Sequence, residues 1–215
     1  ATGEHGKVST IPLAGLTGHS QKIVSSRGTF IARAAPQPAI PFVDRQREFR
    51  LLRKMRASGL APQPVAGHRQ GIVLTWCAGD ALDEQRFIQQ RPQIVALLRQ
   101  LHQQPLTGYR LQLLPLLWRY WQLSPQRHHR WLRAPRRPTQ QGEPQTLRLA
   151  PLHMHLHAGN VIQSPERLRL TDWEYDSAGD VALVLAAVCA SELLTQTVWE
   201  VEPVVATQLT RPLGV

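Results

Sequence analysis

The apolar and polar residues in the first third of the chain follow patterns that predict β-strands. Apolar side chains alternate with polar ones over residues 7–13 and 22–24, and a third short segment covers residues 28–33. Such alternation is typical of strands with one buried face. Residues 71–77 form a nearly continuous apolar run that begins at a glycine, which is typical of a buried strand. An antiparallel sheet is therefore predicted in this part of the chain.

The middle of the chain has the spacing of helices instead. Apolar residues recur at helical intervals over residues 44–58 and 83–102, and an apolar, aromatic-rich segment follows at residues 111–123. Pro92 is expected to divide the second segment into two helices, because proline lacks the N–H group that a helix interior needs. Three aromatic residues of the last segment are expected in the core, with the wall of a ligand pocket as the alternative: Trp118, Tyr120 and Trp121.

The charge balance favours an anionic ligand. The chain has 215 residues and carries 25 Lys and Arg residues against 15 Asp and Glu, a formal net charge of +10. Such an excess suits a nucleotide. The basic residues are densest at residues 127–137, inside a Pro-, Arg-, Gln- and Gly-rich stretch. A solvated connector is favoured there, because no familiar nucleic-acid-binding motif accompanies the basic run. We expect a small-molecule partner and no specific nucleic acid.

The cysteines and the apolar runs predict a cytoplasmic protein. Cys77 and Cys189 are too few and too far apart for a disulfide framework or a thiolate metal site, so both are expected as thiols in a reducing compartment. No secretory leader is recognised at the start of the sequence. The longest apolar run, residues 181–190, is too short to span a bilayer, and no membrane partner is expected.

A glycine-bearing turn separates the first two predicted strands. Glycine lets backbone N–H groups approach a phosphate without interference from a Cβ atom. An ordinary hairpin turn without a ligand is the alternative. The candidate phosphate-binding residues are Gly15, Thr17, Gly18 and Ser20.

Arg33 and Glu48 form a candidate pair behind this turn. Arg33 ends the third predicted strand, and Glu48 lies early in the helix that follows. In phosphoryl transfer, a strand cation held by a helix glutamate contacts the nucleotide phosphates. We therefore expect the two side chains to pair, with an ordinary surface ion pair as the alternative.

The most informative segment reads L-H-M-H-L-H-A-G-N at residues 152–160, followed by T-D-W-E-Y at residues 171–175. In phosphoryl transfer an aspartate orients the acceptor hydroxyl, while an asparagine and a second aspartate hold Mg²⁺. Asn160 and Asp172 fit the two metal positions, and residues 161–162 and 168–170 between them are expected to form a short hairpin. His155 stands at the position of the orienting aspartate, and His153 is expected to steady the loop backbone.

The alternating histidines of this segment also permit a zinc site. Residues at i, i+2 and i+4 of a strand share one face, and three imidazoles there could bind zinc. The A-G-N sequence that follows breaks the strand period at once. A loop is therefore favoured, and zinc is the lesser alternative.

These residues resemble the aminoglycoside phosphotransferase and choline kinase-like family, whose loop has the pattern H-x-D-x-H-x-x-N followed by D-x-E. The resemblance covers roughly residues 13–188 and is strongest to members that phosphorylate thiamine. It implies a two-lobed, protein-kinase-like α+β fold, with a small β-rich, nucleotide-binding N-lobe at residues 1–79 and a larger, mainly helical C-lobe at residues 80–215. It also implies ATP and Mg²⁺ as cofactors and transfer of the γ-phosphate to the hydroxyl of thiamine, with choline or another amino-alcohol as the alternative acceptor.

The same resemblance extends to further site residues. It implies that Arg33, Thr75 and Cys77 contact the nucleotide. Beside the metal position, aromatic faces and a carboxylate would suit the cationic thiazolium ring of thiamine. The candidate substrate-binding residues are Trp173, Glu174 and Tyr175, with a core role for the two aromatic residues as the alternative.

The chain departs from the family pattern in two places. His155 replaces an aspartate, and a neutral imidazole lacks the negative charge that orients a hydroxyl. General-base contributions are typically about 10²–10⁴-fold, so we expect a loss of activity of that order, or a pseudokinase that binds nucleotide without turnover. The resemblance also fades after residue 188, and we expect a C-lobe that is truncated or altered relative to the family and an acceptor pocket that is incomplete.

Overall fold

A computed structural model describes most of the chain, namely residues 8–13, 20–106, 109–125, 142–143 and 145–184. Several predicted features lie outside the described residues: Gly15, Thr17, Gly18, the basic run at 127–137, Cys189 and the C-terminal segment.

The N-terminal part is an antiparallel sheet, as predicted, with five strands where the sequence patterns predict four. Its strands in chain order are β1 (Ser9–Leu13), β2 (Ser20–Ser25), β3 (Gly28–Ala34), β4 (Pro64–His68) and β5 (Gly71–Thr75). They lie in the order β1-β2-β3-β5-β4.

Helix α1 (Arg45–Lys54) connects β3 to β4 and packs against β4 and β5. It begins at Asp44, whose carboxylate accepts hydrogen bonds from the N–H groups of Gln46 and Arg47. These bonds satisfy donors that have no partner inside the helix. The helix buries Arg45, Glu48, Leu51 and Leu52, at the three- and four-residue intervals expected of one helix face.

The second part of the chain contains the longer helices and two small sheets. Its helices are α2 (Glu84–Gln89), α3 (Arg91–His102) and α4 (Leu113–Leu123). Its strands are β6 (Asp80–Ala81), β7 (Leu149–Leu152), β8 (Val161–Gln163), β9 (Leu168–Leu170) and β10 (Ser177–Asp180). Strands β7 and β10 form one antiparallel pair, and β6-β8-β9 form the other sheet.

The predicted helix division is confirmed. Pro92 lies at the start of α3, within the first turn of a new helix, where its missing N–H group has no helical partner to lose. Ile94, Leu98 and Leu101 of α3 are fully buried in the core cluster, together with Leu152 of β7. This packing holds α3 behind the small sheets.

Helix α4 differs from the prediction. None of its residues is buried, and Trp118 and Tyr120 are 51% and 52% exposed. The core role expected for Trp118, Tyr120 and Trp121 is therefore wrong; Tyr120 instead lines a cavity, as the alternative had it. Among the described helices, none combines the length and the apolar character that a membrane span requires.

Candidate active site

A short hairpin brings the two predicted metal ligands together. Strands β8 and β9 pair in the predicted hairpin, with Asn160 just before it and Asp172 just after it. The N–H group of Thr171 donates to the carbonyl oxygen of Asn160 at 2.9 Å, which closes the two ends of the hairpin. The Nδ2 of Asn160 donates to the carbonyl of His155 at 2.9 Å. The amide oxygen of Asn160 is therefore the atom left to bind a metal ion.

His153 stabilises this arrangement from the protein interior. It is completely buried, its Nε2 lies 2.7 Å from the carbonyl oxygen of Thr171, and its ring meets the Trp173 ring edge-on at 4.7 Å. Burial lowers the pKa of His153 to about 4, so the ring is neutral and Nε2–H donates. Since the described residues hold no group of three or more His, Cys, Asp or Glu able to bind a metal, the zinc alternative finds no support.

Two arginines and three carboxylates form a buried charge network between the sheet and the hairpin. Arg33 Nη1 lies 2.6 Å from Glu48 Oε1, so the predicted pair is confirmed. Arg33 Nη2 contacts Asp172 and lies 3.0 Å from Glu174 Oε2. Arg45 Nη1 lies 2.8 Å from Glu48 and 2.7 Å from Glu174. Because removing one member of such a cluster leaves a buried charge unpaired, the network fixes the sheet relative to the hairpin.

The carboxylate of Asp172 is held in its ionised form. Burial opposes ionisation, but the contact with His155 and the charge of Arg33 outweigh it and hold the pKa of Asp172 well below its usual range. In return, the contact with Asp172, 3.3 Å from His155 Nδ1, raises the pKa of His155. The His155 side chain is 42% exposed and its ring meets Tyr175 edge-on at 5.4 Å. The position that the family pattern fills with an aspartate therefore carries an imidazole in contact with Asp172.

Two of the three residues expected to bind substrate face inward. Trp173 is 1% exposed and donates from Nε1 to the carbonyl of Leu170 at 2.8 Å. Glu174 is 0% exposed, and its carboxylate contacts both arginines of the network. The structure corrects the expected substrate role of both, because the 3₁₀ turn at Trp173–Tyr175 directs their side chains into the core. Only Tyr175 of the three lines a cavity.

That cavity, of about 400 Å³, opens beside His155. Its wall carries four aromatic rings, which come from separate segments of the chain: Phe42, Tyr109, Tyr120 and Tyr175. Arg47 and Ser177 add polar groups. Sequence reasoning missed most of this wall, because nothing in the local patterns connects residues so far apart in the chain.

Backbone strain concentrates at the same place. Three non-glycine residues have positive φ angles among the described residues: Phe42 at 70°, Met154 at 60° and Asp172 at 63°. The first two line the cavity, and the third is the predicted metal ligand. Non-glycine residues with positive φ angles are strained, and the surrounding structure must stabilise them. Such residues cluster at functional sites.

The nucleotide side of the site is only partly described. Ser20 lies opposite Arg33 in the register of β2 and β3, so this candidate phosphate-binding residue adjoins the charge network. Thr75 is less available for contact with a nucleotide than expected. Its N–H donates to the carbonyl of Gln63 at 2.8 Å, and its hydroxyl accepts from the Gln63 N–H at 2.9 Å. Cys77 is partly buried, and burial raises the pKa of its thiol.

Comparison with known proteins gives consistent results in sequence and in structure. No family model matches the chain. The thiamine kinases of Escherichia coli and Shigella flexneri are each 40% identical over 177 residues, which cover 81% of this chain. The match covers 63% of those relatives, so the chain spans less than two thirds of their length.

The solved structures that superpose on the chain include choline and ethanolamine kinases. LicA in complex with AMP superposes with a TM-score of 0.71 at 18% identity, covering 99% of this chain and 88% of that one. A choline/ethanolamine kinase family protein from Mesorhizobium loti gives 0.65 at 19% identity, covering 93% and 69%. The predicted two-lobed, kinase-like α+β fold is confirmed.

Proposed function

We propose that this chain is a member of the aminoglycoside phosphotransferase and choline kinase-like family, that it binds Mg·ATP between its lobes, and that it transfers the γ-phosphate to the hydroxyl of thiamine. The observation that carries the proposal is the meeting of Arg33, Asn160, Asp172 and His155 at the edge of an aromatic cavity. The similarity to thiamine kinases supports the choice of acceptor.

The donor atoms at the hairpin suit Mg²⁺. Asp172 offers an ionised carboxylate and Asn160 an amide oxygen, both hard oxygen ligands of the kind that Mg²⁺ accepts together with phosphate oxygens. When bound, the ion would neutralise charge on the β- and γ-phosphates. Arg33, held by Glu48, is the group on the sheet side that would contact the phosphates.

Four aromatic rings make the cavity suitable for the acceptor. Aromatic faces attract a fixed cation such as the thiazolium ring of thiamine. Because His155 lies at the edge of this cavity, an acceptor bound there would present its hydroxyl to the position that the family fills with an aspartate.

His155 is the reason that turnover by this chain should be slow. An imidazole carries no negative charge in either protonation state, so it cannot orient the acceptor hydroxyl as a carboxylate would. A protein that binds Mg·ATP without transferring the phosphate is therefore the second candidate function.

The test is thiamine phosphate formation from Mg·ATP by the wild-type chain and by His155→Asp. We expect the variant to be faster by about 10²–10⁴-fold, the usual range for general-base catalysis. The exposed neighbour His157 provides a matched control, since His157→Asp adds the same charge two residues away and should leave the rate low. Equal rates for the wild type and His155→Asp would contradict the assignment of His155 to the base position. Choline in place of thiamine tests the alternative acceptor.

A further inference from the structure

We propose that Arg47 selects the acceptor: it favours a cationic alcohol that also carries a heteroaromatic ring with hydrogen-bond-accepting nitrogens, and it disfavours a simple quaternary ammonium alcohol. This inference rests on the proposed function, since it assigns the selection of the acceptor to one wall of the proposed acceptor cavity.

The guanidinium of Arg47 is held in a fixed plane at that wall. Its Nη2 donates to the carbonyl oxygen of Phe42 at 2.7 Å and to that of Glu174 at 2.8 Å. The group lies on the ring of Tyr109, with 4.5 Å between Cζ and the ring centroid. Phe42 and Tyr109 also line the cavity. Two carbonyls and one ring therefore position Arg47 before any ligand arrives.

Part of this guanidinium still lacks a partner. Nε of Arg47 is buried and makes no hydrogen bond within the described part of the chain. On the same wall, the Oγ of Ser177, a residue that is 1% exposed, is also buried without a hydrogen-bond partner among the described residues. Buried polar groups are normally satisfied, so this wall has polar atoms that a polar ligand could engage.

The charge of Arg47 is also less compensated than that of its neighbours. Arg33 and Arg45 both contact carboxylates, whereas Arg47 has no carboxylate within ion-pair distance among the described residues. The buried acid Asp176 is close enough to sense Arg47, but burial raises the pKa of Asp176 to about 7. Near neutral pH this acid therefore offsets the charge of Arg47 only in part.

These features suit thiamine better than choline. Aromatic rings accept the cation of either molecule. The donors of Arg47, however, need an acceptor atom, and a charge-assisted hydrogen bond is stronger than a neutral one. The aminopyrimidine ring of thiamine carries nitrogen lone pairs that can accept these hydrogen bonds, while choline offers only its hydroxyl oxygen.

The experiment measures binding by titration calorimetry in the presence of Mg·ADP. Three probes are compared: thiamine, the thiamine analogue in which a benzyl group replaces the aminopyrimidinylmethyl group, and choline. We expect the wild type to bind thiamine at least about tenfold more tightly than the benzyl analogue, as one charged hydrogen bond implies. Arg47→Met keeps an unbranched stem over Tyr109 and should remove this preference by weakening thiamine alone. Arg50→Met, on the exposed side of α1, is the matched control and should retain it.

The outcomes separate this inference from the proposed function. Equal wild-type affinities for thiamine and the benzyl analogue, a preference that survives in Arg47→Met, or choline binding as tight as thiamine would each overturn the role of Arg47 and leave a kinase for cationic alcohols standing. If no probe binds while Mg·ADP does, the acceptor assignment itself falls, and with it this inference. If Arg47→Met does not fold, as circular dichroism would reveal, equal binding of thiamine and the benzyl analogue by the wild type would still overturn the inference.

Discussion

At the scale of single residues, the site is governed by how its charges are compensated. Arg33 and Arg45 are matched with Glu48, Asp172 and Glu174 in contacts of 3.0 Å or less. Buried ions are costly unless each has a partner, so this cluster holds Asp172 in the ionised state that a metal site needs. Asp176 lacks such compensation.

Asp176 should make stability depend on pH. Burial raises its folded-state pKa from 3.8 to about 7, so between these values the folded chain binds a proton that the unfolded chain does not. Stability therefore falls as the pH rises from about 4 to about 7 and levels off above that. At about 1.4 kcal/mol per pKa unit, the loss reaches up to about 4 kcal/mol.

The measurement is urea unfolding of the wild type and of Asp176→Asn at several pH values from 5 to 8. The free energy of unfolding of the wild type should decline relative to that of the variant as the pH rises. The depressed pKa of His153 acts in the opposite direction, but it is present in both proteins and cancels in the difference. Parallel curves for the two proteins would show that Asp176 ionises normally.

At the scale of elements, the β8–β9 hairpin is the part that positions the metal ligands. Its ends are joined by the Thr171–Asn160 hydrogen bond, and its outer edge pairs with β6, directly after Gly79. Gly79 has a φ angle of +131°, and a Cβ atom there would overlap the carbonyl oxygen of Gln163 in β8. The chain segment that connects the two lobes therefore requires two backbones to approach closely at Gly79.

Gly79→Ala should destabilise the protein by about 2 kcal/mol or more, because backbone strain of about 1–3 kcal/mol is added to the steric overlap. Gly142→Ala is a suitable comparison: its φ angle is +80°, yet nothing lies within 4 Å of the position of its Cβ. It should cost only the conformational part, on the order of 1 kcal/mol. Chemical unfolding measures both, and equal losses would mean that the approach to Gln163 contributes nothing.

Local features of the fold were predictable from the sequence, and longer-range ones were not. The hairpin, the helix start at Pro92 and the Arg33–Glu48 pair depend on spacing within one or two adjacent elements. The substrate role expected of Trp173 and Glu174 did not anticipate that both side chains face inward. A motif gives the order of residues in a turn but not which of them face inward. The cavity wall was missed for a related reason, since Phe42 and Tyr109 meet only in the folded chain.

At the scale of the whole molecule, the lobes meet where the chemistry is proposed. The sheet contributes Arg33, α1 contributes Arg45 and Glu48, and the turn after β9 contributes Glu174. Their contacts join the two parts of the chain beside Asp172. The same contacts would therefore order the nucleotide side and the metal side of the site together.

Calorimetric titration of ATP, with Mg²⁺ and with excess chelator, tests this account most directly. We expect binding that requires Mg²⁺ and is weakened at least about tenfold by Asp172→Asn, because the variant loses a charged metal ligand. Glu166→Gln removes a carboxylate from the exposed turn of the same hairpin and should leave the affinity unchanged. Thermal melting checks that both variants fold. An ATP affinity that changes neither on removal of Mg²⁺ nor in Asp172→Asn would contradict the proposed Mg·ATP site. The absence of any ATP binding would contradict it as well.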